Sequence, residues 1–301
     1  MIEPHPGVYT VVPTPFHRDE SLDEASLERL LVELMAVGVD GVIVLGVLGE
    51  ASKLVGDERD RVIRTALNAV DGRVSVIVGA SHASAIGARA FAARAAALGA
   101  DGVMVSPPRI ARCDHFGVLE YMDLALASVD VPVLLQDHPA SSGTLMAAPT
   151  IAAIAEEHSC VRWVKVEDPP SARKLLELRA LCGQRLHLLG GLGALSLLAE
   201  LDCGSDGTMT GFSAPEALIG IWRHHQKADH AAARAQFARW LPLIGTESTE
   251  EIGLSIRKWI YYRRGWISAP VCRTPASSMP AELRDVIDEQ LRDFGLLVRE
   301  D

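Results

Sequence analysis

One lysine lies where lysine is unusual. Lys165 falls inside the run Arg162 to Val166, which otherwise has the apolar, β-branched composition of a buried strand. The other four lysines fall in loop or helical patterns: Lys53, Lys174, Lys227 and Lys258. Burial favours the neutral form of an amine, and a neutral amine attacks a carbonyl carbon to form a Schiff base. Position alone leaves two interpretations open, Schiff-base chemistry or a structural ion pair with a following carboxylate.

The residues on either side of Lys165 predict which way it points. Successive side chains of a strand face opposite sides, so Trp163, Lys165 and Glu167 share one face, and Val164 and Val166 share the other. The valine face is suited to packing against helices, and we therefore expect Lys165 to point into the protein. Glu167 is a candidate catalytic base, and structural pairing with the lysine is the alternative.

A histidine after an earlier run is the second acid-base candidate. Alternation places Leu134, Gln136 and His138 on one face and turns Asp137 the other way. Histidine exchanges protons near neutral pH, so His138 is a candidate general acid or base. The alternative is a loop histidine that hydrogen-bonds to the backbone.

The elements that would position these residues repeat along the chain. Eight short β-branched runs recur about every 20 to 34 residues, with amphipathic helical patterns between them. The runs are residues 8–12, 41–45, 74–78, 102–105, 131–136, 162–166, 186–189 and 207–210. Eight alternating units predict a (βα)8 TIM barrel. An open doubly wound sheet is the alternative, but Gly46-Val47-Leu48-Gly49 lacks the Gly-x-Gly-x-x-Gly pattern that it needs.

Helical patterns also begin and end the chain. Ser21 and Glu24 predict a capping box at the first helix. The last helical patterns cover residues 214–225, 231–241, 250–264 and 281–297. We therefore expect a barrel over residues 1–225 and a C-terminal helical extension over residues 226–301, packed on the barrel as a single structural unit.

Composition excludes several classes of protein. The net charge is −10 and there is no basic run, which argues against a nucleic-acid partner. The apolar runs fall short of the roughly 20 residues that span a bilayer, and no signal pattern opens the chain. The five cysteines form no Cys-x-x-Cys pair, so neither a disulfide framework nor a zinc site is expected. These features predict a cytoplasmic enzyme. Schiff-base chemistry at Lys165 would need no metal or organic cofactor.

Several motifs in order and spacing carry a family resemblance. They are Thr14-Pro15-Phe16, the segment 46–50, Pro139 with Gly143, and Val164-Lys165-Val166-Glu167. With them the chain resembles the dihydrodipicolinate synthase and N-acetylneuraminate lyase superfamily along nearly its whole length. The resemblance implies a barrel with a helical extension, a homotetramer or homodimer, and an imine between Lys165 and a 2-oxo acid. It also implies that Gly191 gives room beside the imine.

Four positions depart from the pattern of that superfamily. The resemblance aligns Val47-Leu48 with the usual pair of threonines and Gln136 with the usual proton-shuttling tyrosine. It aligns Ser141 with the arginine that synthases use for their second substrate, and Arg109 with a tyrosine exchanged between subunits. These changes argue against a true dihydrodipicolinate synthase but leave imine formation possible.

We therefore predict a Schiff-base lyase acting on a small 2-oxo acid, such as a 2-keto-3-deoxy sugar acid or a pyruvate adduct. The catalytic candidates are Lys165, His138 and Glu167. The substrate-binding candidates are Gly46, Val47, Leu48, Arg109, Gln136, Gly191 and Met209. Dehydration is slightly favoured over retro-aldol cleavage that releases pyruvate. A barrel that has lost catalysis and binds a metabolite or partner is the alternative from another class.

Overall fold

Eight parallel strands close into a barrel in the order of the sequence. The computed structural model describes residues 5–108, 114–249 and 251–298. Each strand pairs with the next, and the eighth pairs with the first. The strands are β1 Gly7–Val11, β2 Gly41–Val44, β3 Ser75–Gly79, β4 Gly102–Val105, β5 Val133–Asp137, β6 Val161–Val166, β7 His187–Gly190 and β8 Gly207–Thr210. The predicted (βα)8 TIM barrel is confirmed, and every predicted strand overlaps an observed one.

The barrel is filled by side chains from alternate strand positions. Nine of them form one apolar cluster inside it: Tyr9, Val11, Ile43, Ile77, Met104, Leu134, Trp163, Leu189 and Met209. The opposite faces of the strands, Val164 and Val166 among them, belong to a second cluster that includes the surrounding helices. Both faces of each strand are buried, which explains why the strands are continuous apolar runs.

Twelve helices accompany the strands in the described part of the chain. They are α1 Glu24–Val37, α2 Gly56–Val70, α3 Ala85–Leu98, α4 His115–Leu126, α5 Pro139–Ser142, α6 Ala148–Glu157, α7 Ser171–Cys182, α8 Leu197–Asp202, α9 Pro215–Gln226, α10 His230–Glu247, α11 Gly253–Arg263 and α12 Ala281–Phe294. Short 3₁₀ turns occupy Ala51–Lys53 and Leu192–Ala194. No helix in the described segments is long and apolar enough to cross a membrane.

The predicted capping box of α1 is wrong. Asp23 is the N-cap, and its carboxylate accepts a hydrogen bond of 2.9 Å from the Ser26 N–H. Ser21 instead donates its hydroxyl to Asp19. Aspartate caps helices as well as serine does, and Asp23 directly precedes the first helical residue, whereas Ser21 lies too far before it.

The helix α11 and the segment that follows it are tied to the barrel by polar contacts. In α11, Lys258 is fully buried and its Nζ lies 2.6 Å from the Glu50 carboxylate, in the loop after β2. After α11, the Ser268 hydroxyl donates to the Asp23 carboxylate at the start of α1. Arg264 donates to the Ser213 carbonyl after β8. The extension therefore braces the end of the barrel where strands finish.

Candidate active site

Lys165 lies inside the barrel, above the apolar cluster and near the C-terminal ends of the strands. It is the fifth residue of β6, and its neighbours in register are Gln136 of β5 and Leu189 of β7. Only 4% of its surface is exposed. Its Nζ lies 3.1 Å from a carboxylate oxygen of Glu167. In TIM barrels the C-terminal ends of strands carry the chemistry, so a buried amine beside a carboxylate here is the natural centre of a site.

Glu167 is held by groups on three sides. Besides Lys165, its carboxylate accepts 2.9 Å from the Gln136 side-chain amide and 3.4 Å from the Leu192 N–H. Burial alone would raise the pKa of Glu167, but the charges of Lys165 and His138 and these hydrogen bonds bring it below its ordinary value. The carboxylate is therefore ionised at neutral pH and able to accept a proton.

His138 follows β5 directly and is half-buried. Burial lowers the pKa of His138, and the charges of Glu167 and Lys165 act on it in opposite directions. Its Nδ1 is buried and has no hydrogen-bond partner among the described residues. Asp137 turns to the outside of the barrel, where its carboxylate lies 2.7 Å from the Lys174 Nζ. The structure therefore brings His138, and not Asp137, to the pair formed by Lys165 and Glu167.

The loop after β2 presents backbone donors at the mouth of the barrel. The Gly49 and Glu50 N–H groups donate to the Gly46 and Val47 carbonyls, at 3.0 and 3.1 Å. Among the described residues, no acceptor is found for the Val47 or Leu48 N–H groups. Successive free N–H groups in a tight turn can bind an anion, which makes this loop a candidate carboxylate site.

Two polar contacts fix that loop. The Thr14 hydroxyl donates to the Gly49 carbonyl over 2.6 Å. Glu50, with a left-handed backbone (φ 52°), pairs with Lys258 and, over 2.9 Å, with Lys53. The loop is therefore preorganised before any ligand binds.

A cavity of about 540 Å³ opens beside this loop. Its lining includes Gly46, Val47, Gln136 and Ser141, from the ends of β2 and β5. Gln136 also donates to Glu167, which pairs with Lys165. The cavity therefore extends to a residue that hydrogen-bonds to this pair. The volume is within the range of small-molecule sites.

The loop after β7 lies against Glu167. A Cβ built on Gly191 would lie 2.6 Å from the Glu167 Cγ and 2.7 Å from its Oε1. Leu192, Gly193 and Ala194 all have positive φ values, of 47°, 67° and 70°. A run of left-handed residues that includes two non-glycines is strained, and here it directs the Leu192 N–H to the Glu167 carboxylate.

Of two other predicted substrate-binding residues, one lies within the described part of the chain and one does not. Met209 is fully buried inside the barrel, in the apolar cluster. Its contact with a substrate stays a prediction. Arg109 lies outside the described residues, so its proposed role is not addressed by the structure.

The burial of one carboxyl group could not be predicted from the sequence. Glu200 of α8 is fully buried behind β7, and its Oε1 accepts 2.6 Å from the Ser171 hydroxyl. Burial raises the pKa of Glu200 to about 7, and the nearby charge of Glu167 adds to this. The position of a single glutamate in a helical pattern does not indicate that its side chain is buried. A Cβ built on Gly190 would collide with the Glu200 Oε2, so the Glu200 carboxyl packs directly against the last residue of β7.

Known proteins resemble this chain over nearly its whole length. The model of the dihydrodipicolinate synthetase family matches residues 4–293. An L-2-keto-3-deoxyarabonate dehydratase from Azospirillum brasilense is 35% identical over 284 residues, which are 93% of this chain and 91% of the relative. A probable 2-dehydro-3-deoxy-D-pentonate aldolase from Escherichia coli is 27% identical over 306 residues, 97% of this chain and 98% of its own.

A solved structure gives the same result for the fold. The crystal structure of a dihydrodipicolinate synthase from Rhodopseudomonas palustris superposes with a TM-score of 0.91 at 33% identity. The match covers 95% of this chain and 97% of that one.

Proposed function

This chain belongs to the dihydrodipicolinate synthetase family, and from that premise we propose that it is a Schiff-base lyase acting on a 2-keto-3-deoxy sugar acid. One observation carries the proposal: the Lys165 Nζ is buried at the mouth of the barrel, 3.1 Å from the Glu167 carboxylate. A buried amine beside an ionised carboxylate can lose a proton to it and then attack a carbonyl.

The first step joins Lys165 to the substrate. Its neutral Nζ adds to the C2 carbonyl carbon. The carbonyl oxygen then leaves as water with one proton from Nζ and the proton that Glu167 had taken, so that Glu167 is ionised again. The resulting protonated imine withdraws electrons from C3. The Val47 and Leu48 N–H groups, which lack acceptors among the described residues, are the groups we assign to the substrate carboxylate.

Proton transfer from C3 follows. Glu167 takes this proton, and the C3–H electrons move to the imine nitrogen to form an enamine. The enamine electrons then form a C3–C4 double bond while the C4–O bond breaks. The departing oxygen takes up a proton and leaves as water, and we assign His138 to relay that proton. In a 2-keto-3-deoxypentonate, loss of a C5 proton and protonation at C3 then move the double bond to C4–C5, and the resulting enol becomes the C5 aldehyde. Hydrolysis of the imine frees Lys165 and the dehydrated semialdehyde.

The groups around Glu167 favour dehydration over the synthesis of dihydrodipicolinate. Gln136 occupies the place of the superfamily's tyrosine, and its amide donates to Glu167. An amide does not exchange protons reversibly near neutral pH, so the proton transfers fall to Glu167 and His138. Ser141 lines the cavity where a synthase would offer an arginine. The relative that is 35% identical is named as a dehydratase.

Retro-aldol cleavage is the second candidate, because one relative is named as a probable aldolase. In that reaction the C4 hydroxyl loses its proton and the C3–C4 bond breaks. The products are an aldehyde and, after hydrolysis of the imine, pyruvate. The two reactions share the imine at Lys165 and differ in their products.

Borohydride trapping tests the shared step. The protein is incubated with a 2-keto-3-deoxypentonate or with pyruvate, reduced, and measured by intact mass. We expect an adduct on the wild type and on Lys227→Ala, an exposed-lysine control, but none on Lys165→Ala. An adduct on Lys165→Ala, or none on the wild type with any 2-oxo acid, would overturn the proposal in favour of a non-catalytic barrel. Product analysis then separates a dehydrated semialdehyde from free pyruvate.

A further inference from the structure

Three side chains with metal-binding chemistry meet at the far end of the barrel from Lys165. Asp202 ends α8, His225 lies in the last turn of α9, and His230 begins α10. One ligand atom from each lies within 4.8 Å of the other two. Helices of a TIM barrel run opposite to its strands, so the ends of α8 and α9 lie at the N-terminal end of the barrel. This cluster is therefore separate from the active site.

The nearest side-chain atoms of His225 and Asp202 are already about as far apart as two ligand atoms of one metal ion. The His225 Nε2 lies 3.0 Å from the Asp202 Oδ1. The His225 Nδ1 is buried, so Nε2 is the nitrogen presented to the cluster. The His230 ring lies edge-on to the His225 ring, with 5.1 Å between centroids. Two imidazoles and a carboxylate thus converge from three helices.

This donor set favours zinc. Zn²⁺ binds imidazole nitrogen at about 2.0–2.1 Å in tetrahedral geometry, which places its ligand atoms roughly 3.3 Å apart. The His225 and Asp202 ligand atoms, 3.0 Å apart, are near that spacing. His230, exposed at the first residue of its helix, has a ring nitrogen within 4.8 Å of both. We propose that Asp202, His225 and His230 bind a zinc ion, with water as the fourth ligand, and so link α8 and α9 to the C-terminal extension.

A second histidine-aspartate pair provides an internal comparison. The His158 Nε2 lies 2.9 Å from the Asp123 Oδ1, and its side chain is 16% exposed, as is that of His225. No third metal-ligating side chain joins the His158 pair among the described residues. His230 is therefore the feature that distinguishes the proposed site from an ordinary surface ion pair.

Titration of the full-length, chelator-treated protein with ZnCl₂ tests the site by calorimetry. We expect one Zn²⁺ per chain, with affinity at least tenfold weaker in His230→Ala and in Asp202→Asn and unchanged in His158→Ala. MgCl₂ should give no binding, because imidazole is a poor ligand for Mg²⁺. Absence of Zn²⁺ binding by the wild type, or equal binding by the wild type and His230→Ala, would overturn the proposal.

Thermal unfolding gives a second readout, from which any change that the substitution itself makes in stability cancels out. Each variant is compared with itself, with and without Zn²⁺. A ligand that binds only the folded state raises Tm, so the wild type and His158→Ala should gain stability with Zn²⁺ and His230→Ala should not. The same gain in His230→Ala would also reject the site.

Discussion

The Glu167 carboxylate contacts the Lys165 amine and interacts with the charge of His138, so its proposed role as a base can be tested by a change at this one residue. In Glu167→Gln we expect borohydride trapping on Lys165 to be slower but still to occur, because the amine loses its neighbouring proton acceptor but keeps its nucleophilic nitrogen. Product formation should fall by roughly 10²–10⁴, the contribution of a general base. The measurements are intact mass after reduction and turnover of a 2-keto-3-deoxypentonate. Glu157→Gln, at an exposed site, is the control, and unchanged turnover in Glu167→Gln would exclude the base role.

The raised pKa of Glu200 predicts that the free energy of unfolding of the protein depends on pH. Burial raises its pKa in the folded protein to about 7, from 4.5 in a free glutamate. The folded state thus holds an extra proton between these values, and stability falls as pH rises through that window. At 1.36 kcal/mol per pKa unit, Glu200 accounts for a loss of about 3 kcal/mol between pH 4.5 and pH 8.

The matching substitution is Glu200→Gln, which cannot ionise. Urea unfolding of this variant from pH 4.5 to pH 8 should show a flatter stability profile than the wild type. Glu157→Gln again serves as the exposed control, with an unchanged profile. Parallel profiles for Glu200→Gln and the wild type would mean that Glu200 does not bind the extra proton.

At the scale of elements, the loop after β7 sets the position of Glu167. A methyl group on Gly191 would collide with the Glu167 carboxylate, and the backbone there (φ −152°, ψ −125°) lies outside the regions that residues with a Cβ favour. We expect Gly191→Ala to lower turnover about tenfold or more, since small displacements of catalytic groups are costly, in protein whose far-UV circular dichroism still shows the fold. Gly56→Ala is the control because nothing lies within 4 Å of its added methyl. Wild-type turnover in Gly191→Ala would show that the loop does not position Glu167.

At the scale of the whole molecule, we propose that residues 1–225 and 226–301 unfold together. The buried contact between Lys258 and Glu50 joins the extension to the barrel mouth, and breaking such a pair costs roughly 3–5 kcal/mol. Four of the five tryptophans lie in or near α9–α11, whereas far-UV circular dichroism reports every helix and strand. Urea transitions by fluorescence and by dichroism should coincide. An earlier fluorescence transition would mean that the extension unfolds alone.

Self-association is the second prediction at this scale. Phe116 of α4 is 76% exposed and Leu145, before α6, is 72% exposed. Hydrogen bonding of the His115 ring to the Thr150 hydroxyl joins these two regions. We propose that Phe116 packs against a second copy of the chain, and light scattering should give the mass of a homodimer or homotetramer. Phe116→Asp should lower that mass, and a monomeric wild type would contradict the proposal.

Local patterns in the sequence predicted the barrel and the placement of Lys165 inside it. Both depend on local regularities: apolar runs that recur about every 20 to 34 residues, and the two-residue alternation that fixes the face of each side chain. The same alternation separated His138 and Gln136 from Asp137, which pairs with Lys174 outside the barrel. The capping residue of α1 was missed because Ser21 and Asp23 are both competent caps and lie two residues apart.

Which distant residues meet depends on how the elements pack, and no local pattern in the sequence predicts it. Glu50 and Lys258 are 208 residues apart in sequence, and no periodicity relates them. Burial of Glu200 against β7, and the meeting of Asp202 with His225 and His230, depend on how helices pack around the closed sheet. Such contacts are set by the angles and spacing between elements, which follow from the packing of the whole core, whereas strand alternation follows from the backbone alone.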